Sequence, residues 1–289
     1  MRDLDIIFAC CDAGVHVDGA SNGAYKLYEE IDYKNKKIIK QNNFIKEREE
    51  SNKEKNLKEV NAFNTKLYKE VIDSLNNKHK VLTIGGDHSI AIGSVLGSVS
   101  VNDKMGIIWI DAHGDYNTFK TTITGNLHGL PLAVIDGYET EKLKPFHNGN
   151  TISPKNTVII GGRDFDKEEI NNLNDAGVTI FSVDDIRKMG TRNVVNEAIK
   201  IASKDVNKVH ISYDIDVIDP KYAPGVSVPA INGININEAY EIMDVVLKNK
   251  DIINSMDIVE FNSLKDKDNI TLNIAKNLIE KVLNQNEIF

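Results

Sequence analysis

The 289-residue chain has only two cysteines, and Cys10 and Cys11 are adjacent, a spacing that no ordinary intrachain disulfide bridges. A disulfide framework is excluded, and reduced thiols closing an apolar run fit a reducing compartment. No stretch approaches the roughly 18 consecutive apolar residues that would suggest a membrane span. The N-terminus also lacks a long apolar core followed by a cleavage site. Cytoplasmic residence without a membrane partner is therefore expected. Clusters of basic residues are scarce too: 35 Lys and Arg against 43 Asp and Glu leave a formal charge of −8. That balance argues against nucleic acid as a partner, because phosphate binding needs clustered cations. With no Pro/Gly/Ser-rich linker and no internal repeat, residues 1–289 are expected to form a single domain.

What is present is an alternation. Short β-branched runs recur at Asp5–Phe8, Val81–Ile84, Ile107–Ile110, Val158–Ile160, Val178–Phe181, Val209–Ser212 and Met256–Val259. Most are continuously apolar, as expected for strands covered on both faces. Helical spacing fills longer segments such as Leu57–Leu75, Asn193–Ala202, Ile236–Leu247 and Asn269–Leu283. Strand and helix in alternation predict an α/β, three-layer fold with a central, mostly parallel β-sheet and helices on both faces. Residues 29–60 are dense in Lys, Glu and Asn and read as a solvated surface excursion.

The chemistry sits where the runs end. Val81–Ile84 leads into "GGDHS", Ile107–Ile110 into "DAHGD", Val158–Ile160 into "GGRDFD", Val209–Ser212 into "YDIDVIDP", and Met256–Val259 into Glu260. In open α/β sheets ligands bind beyond the carboxyl ends of the strands. In an extended segment Asp111, His113 and Asp115 would share one face. Two carboxylates and an imidazole crowded together favour a cation between them. His16, His79 and His210 lie outside any such pattern and read as packing or surface residues.

Together "GGDHS", "DAHGD", "SYDIDVIDP" and "DIVEF" resemble, in order, the motifs of the ureohydrolase superfamily of arginases, agmatinases and formiminoglutamases, most of all the arginases. The resemblance runs from about residue 81 to 262. It implies two Mn²⁺ ions per subunit held by His88, Asp111, His113, Asp115, Asp214 and Asp216, with Asp111 and Asp214 bridging both. Carboxylates with a minority of imidazoles and no thiolate suit Mn²⁺ on chemical grounds as well. Two cations also depress the pKa of a bridging water, so that hydroxide forms near neutrality and can attack a guanidino carbon. In "TTITGNLHGLP", His128 matches the family's proton shuttle near the leaving group, a task suited to imidazole. Glu260 matches the carboxylate that pairs with the substrate guanidinium.

For the substrate tail, the resemblance assigns Asn117 and Thr124 to an α-carboxylate and Asp166 and Glu169 to an α-amino group. The last two also fit ordinary acids at a helix start. A carboxylate subsite favours L-arginine, giving L-ornithine and urea, over agmatine. The resemblance further implies a homo-oligomer, a trimer or hexamer. The chain departs from the arginase pattern at Ser227-Val228-Pro229, where Gly-Thr-Pro is usual, so an apolar Val228 replaces a hydroxyl near the guanidinium pocket. "PGVSVPA" is closer to the formiminoglutamase branch. Position 263 lacks the usual proline, and "DAGVHVDGASNGAYKLY" poorly matches the family's glycine-rich N-terminal loop. The alternatives are formiminoglutamase, another guanidino-acid or agmatine ureohydrolase, or, from a different class, a non-catalytic metal-binding regulatory relative.

Overall fold

The computed structural model describes residues 3–102, 104–138, 142–143 and 149–287. Strands β1 (Leu4–Cys10), β2 (Lys36–Lys40), β3 (Lys80–Gly85), β4 (Met105–Ile110), β5 (Thr157–Gly162), β6 (Thr179–Ser182), β7 (Lys208–Asp214) and β8 (Ile253–Val259) form one sheet. The order is β2-β1-β3-β8-β7-β4-β5-β6, and every pairing is parallel. Helices α1 (Ala20–Glu30), α2 (Leu57–Asn76), α3 (Ala91–Val101), α4 (Pro131–Ile135), α5 (Lys167–Ala176), α6 (Val183–Met189), α7 (Thr191–Ala202), α8 (Ile236–Leu247) and α9 (Ile270–Glu287) connect them. None of the described helices is long and apolar enough to cross a membrane.

Alternating side chains of the buried strands divide the core in two, as the pleat requires. On one face Ile6, Phe8, Ile84, Ile110 and Tyr213 pack with Leu27 of α1, Val194 of α7, Ile242 of α8 and Leu278 of α9. On the other, Ile7 and Ala9 meet Phe63 and Leu67 of α2, and Ile107 and Trp109 meet Val95 of α3 and Leu173 of α5. The expected three-layer architecture is therefore found, with the sheet wholly rather than mostly parallel.

The reading of residues 29–60 needs correction, because Lys36–Lys40 pair with Ile6–Cys10 as the edge strand β2. Lysines at both ends of "KKIIK" hide the strand from a hydropathy pattern while suiting an unpaired edge, where charge discourages further strand addition. Residues 46–56 are not simply solvated either. Lys46 pairs with Asp12 at 3.0 Å, and Lys55 is buried.

The sheet positions the chemistry through its order. β3, β8, β7 and β4 are neighbours, so the residues after their carboxyl ends (Asp87-His88, Glu260, Asp214 and Asp111) emerge side by side. The backbone locks these ends together: Gly86 donates to Ala9 O at 2.9 Å, Asp87 to Cys11 O at 2.9 Å, and Glu260 to Gly86 O at 2.8 Å. Gly86 is pressed so tightly here that an added Cβ would collide with the Cys11 carbonyl. Gly86→Ala is expected to cost about 1–3 kcal/mol of stability, the usual range for overpacking, seen as a lower urea midpoint at unchanged m-value.

Candidate metal centre and substrate cavity

His88 opens a short turn, His88–Ile90, whose first N–H groups are capped by Asp87: Ser89 N donates to its Oδ1 at 2.9 Å. The imidazole is buried and stacks on Trp109 with ring centroids 3.9 Å apart. Its Nε2 meets Ser212 Oγ at 2.8 Å, which leaves Nδ1 as the outward nitrogen. Around Nδ1 stand carboxylate oxygens of Asp111 at 3.0 Å, Asp115 at 3.1 Å and Asp214 at 3.0 Å. None of these contacts has hydrogen-bond geometry, so Nδ1 is buried without a partner among the described residues. A second group lies alongside, with His113 Nδ1 3.0 Å from Asp216 Oδ2 and 3.4 Å from Asp111 Oδ1.

The extended geometry expected for Asp111, His113 and Asp115 is not what brings them together. β4 ends at Ile110, and the chain then bends so that His113 N donates to Asp111 Oδ1 at 2.7 Å. Asp115 is turned inward by a left-handed backbone, φ 49°, and Glu260 by another, φ 67°. Such conformations cost energy in non-glycine residues and gather where a site needs a side chain aimed.

The electrostatics are those of carboxylates waiting for cations. Burial, then the neighbouring Asp216 and Asp111, raises Asp214 above the usual carboxylate range. Burial and the Asp111 charge likewise push Asp115 up to about 6. Burial opposes the charge on His88 and His113, yet their carboxylate partners outweigh it and raise both. Asp111 is held low despite burial by the two imidazoles. One donor atom each from His88, Asp111 and Asp214 lies within 4.8 Å of the others, as do donors from Asp111, His113 and Asp216. With an orphaned imidazole nitrogen, converging oxygens and no thiolate, the residues fit divalent cations that accept oxygen and imidazole ligands.

Second contacts fix the donors. Trp109 Nε1 donates to Asp111 Oδ2 at 2.9 Å, Asp216 N donates to Asp214 Oδ1 at 2.7 Å, and Arg163 Nη2 donates to Asp216 O at 2.9 Å. Outer-shell bonds of this kind set ligand orientation. Glu260 Oε1 accepts from His88 N at 2.9 Å and faces His128 Nδ1 at 2.9 Å, while its Oε2 is buried and unpartnered among the described residues. Burial disfavours a charged His128, but the Glu260 hydrogen bond and charge prevail and lift it to about 9.

A cavity of about 210 Å³ opens onto this centre, lined by His113, Asp115 and His128 and also by Asn117, Thr124, Asp166 and Glu169. Residues 3–284 of the chain match an Arginase family model. The chain belongs to the arginase family. It is 39% identical over 230 residues to the arginase of Bacillus subtilis strain 168, covering 79% of this chain and 77% of that protein. It is 38% identical over 226 residues to the arginase of Staphylococcus aureus strain COL, covering 78% and 74%. The crystal structure of Entamoeba histolytica arginase in complex with L-ornithine superposes with a TM-score of 0.87 at 27% identity, covering 97% of this chain and 98% of that one.

Among residues expected to face an arginase-family substrate tail, Asn117 Nδ2 donates to Asp166 Oδ2 at 3.1 Å, and Thr124 Oγ1 accepts from Asn126 N at 3.2 Å. Glu169 is more committed: its oxygens accept from Tyr116 N at 2.9 Å and Asp166 N at 3.1 Å. The Asp166 contact is part of a capping box at the start of α5, and burial pushes the Glu169 carboxyl up to about 8. Val228 also lines the cavity. His210 is buried beside Ser255 and Asp257, and His79 pairs with Asp5. The sequence reading missed His16, which lines the cavity and meets the Asn126 amide at 2.9 Å. Its signal was positional: β1 adjoins β3, so the loop after Cys10 reaches the same sheet edge.

Because Asp111 belongs to both donor groups, Asp111→Ala should deplete bound divalent metal at both, measured by elemental analysis after loading and dialysis. His113→Asn should deplete one group mainly. Wild-type metal content in either variant would remove the assignment.

Proposed function

We propose that the protein is a manganese-dependent arginase that hydrolyses L-arginine to L-ornithine and urea. The observation that carries this reading is that two histidine-carboxylate groups adjoin the His128–Glu260 pair, and that His113, Asp115 and His128 line one cavity together with the polar Asn117, Thr124, Asp166 and Glu169. The Entamoeba relative binds L-ornithine, which fits the same product here. His88, Asp111, His113, Asp115, Asp214 and Asp216 would hold two Mn²⁺. When bound, the ions supply Lewis acidity and make water a nucleophile near neutral pH.

The chain's own residues complete the reaction. Glu260 Oε2, buried and without a partner among the described residues, is suited to accept from the planar guanidinium. Water adds to the guanidino carbon, the bond from that carbon to the tail nitrogen breaks, and the leaving amine takes a proton. His128 is poised to give it, since the Glu260 hydrogen bond and charge favour the protonated imidazole. Asn117, Thr124 and Asp166 would orient the α-carboxylate and α-amino ends. Glu169 would act there indirectly, by holding the backbone at Asp166.

Residues 1–289 make one catalytic domain in this reading, supported by the single sheet. A trimer or hexamer belongs to the same proposal, with exposed Ile231 and Leu264 available for subunit contact. Cytoplasmic residence is supported by the two buried free thiols. The second reading, a formimino substrate, is favoured by Val228, which offers no acceptor to a guanidinium.

Release of urea from arginine by manganese-loaded protein is the direct test, run beside agmatine, guanidinobutyrate and formiminoglutamate. His128→Asn should keep its metal and lose turnover by about a hundredfold, the lower end for general acid–base catalysis. Loss of metal would instead make His128 a ligand or a support. Val228→Thr should improve arginine kcat/KM by about tenfold, since a hydrogen bond to a charged group contributes roughly 1.5–3 kcal/mol. Formiminoglutamate turnover by the wild type, with no arginine turnover in either protein, would remove the arginase proposal.

A further inference from the structure

Lys55 is 2% exposed, an unusual place for an ammonium group. Its Nζ donates to Thr124 O at 2.7 Å, directly behind the threonine that lines the tail end of the cavity. The segment carrying it is pressed against the same turn. Lys53 Nζ donates to Ile123 O at 2.5 Å, and a Cβ on Gly125 would stand 2.5 Å from Asn52 O. Burial holds Lys55 below the ordinary lysine value although Glu50 and Glu47 oppose it from a distance, and no carboxylate of the described residues forms an ion pair with it. A buried charge without a counter-ion is costly. Holding a carbonyl does not require it, because a neutral amide donor would serve.

The field of that charge reaches the cavity. Burial first, and the Lys55 ammonium next, hold His16 below its ordinary pKa, so at neutral pH His16 is uncharged, and Lys55 is the buried cation beside Thr124. Thr124 and Asn126 form the turn between the two, joined by the Asn126 N to Thr124 Oγ1 bond of 3.2 Å. An anionic group entering beside Thr124 would supply the missing counter-charge through a short, poorly screened path.

We propose that Lys55 is a specificity-determining residue that selects substrates bearing a carboxylate on the tail, by fixing the carbonyl of Thr124 and by placing a positive charge behind the cavity wall. Lys53 steadies the same turn at the preceding carbonyl, that of Ile123. The inference rests on the proposed tail-binding role of Thr124, and it applies to any carboxylate-bearing amidine substrate, not to arginine alone.

The test compares manganese-loaded wild type, Lys55→Gln and Lys55→Arg on arginine, guanidinobutyrate and formiminoglutamate, which carry the carboxylate, and on agmatine, which does not. Lys55→Gln keeps a donor for the carbonyl and removes the charge. It should lower kcat/KM for the preferred carboxylate substrate about tenfold more than for agmatine, through KM, and Lys55→Arg should restore most of that ratio. A parallel loss on both substrate types, or an unchanged ratio, overturns the inference while leaving the arginase proposal standing. Loss of selectivity on a carboxylate substrate other than arginine supports Lys55 and overturns arginine as the substrate. A wild type that prefers agmatine overturns both. If no substrate turns over, thermal stabilisation by L-ornithine against putrescine decides: a preference for ornithine that Lys55→Gln abolishes supports the inference, and an equal response in both proteins overturns it.

Discussion

Crowding of like charge at one edge of the sheet is the constraint on which the rest depends. Asp111, Asp115 and Asp214 all stand within 3.1 Å of one imidazole nitrogen, and all three are buried. Carboxylates in such a place are tolerated when cations or protons compensate them. The two imidazoles do part of this, and the remaining deficit suits divalent ions. The fold brings the acids together because β3, β8, β7 and β4 are neighbours although they are far apart in sequence.

Holding that arrangement takes support on several sides. Trp109 both stacks on His88 and donates to Asp111, so one buried side chain orients two donors. Ser212 turns His88 by its far nitrogen, while Arg163 ties the Asp216 backbone to carbonyls of Gly161 and Ala230. Left-handed backbone at Asp115 and Glu260 is sustained by these surroundings, as strained residues at functional sites usually are.

The cavity divides its labour along its length. His128 and Glu260 share a hydrogen bond that, in the proposed reaction, would keep a proton available beside the guanidino carbon. Around Thr124, hydrogen-bonding groups line the wall, and the positive charge of Lys55 stands behind it at the Thr124 carbonyl. A charge behind the wall favours an anion without offering a second partner to a cationic guanidinium, which would help bind the substrate in one direction.

The sequence by itself determined the alternation of strand and helix, because apolar runs covered on both faces carry their own pattern, and it determined the acid and histidine motifs, because they follow those runs directly. It could not reveal β2, since "KKIIK" is charged at its edge, nor the role of Lys55, whose neighbours Glu54 and Asn56 make it look solvated. His16 was equally hidden, a lone histidine in a loop that matches no motif. Only the tertiary structure decided how Asp111, His113 and Asp115 converge, through a bend and a left-handed residue rather than an extended strand. The physical reason is that local patterning reports burial and period, whereas the direction of a loop side chain depends on hydrogen bonds from strands that are distant in sequence.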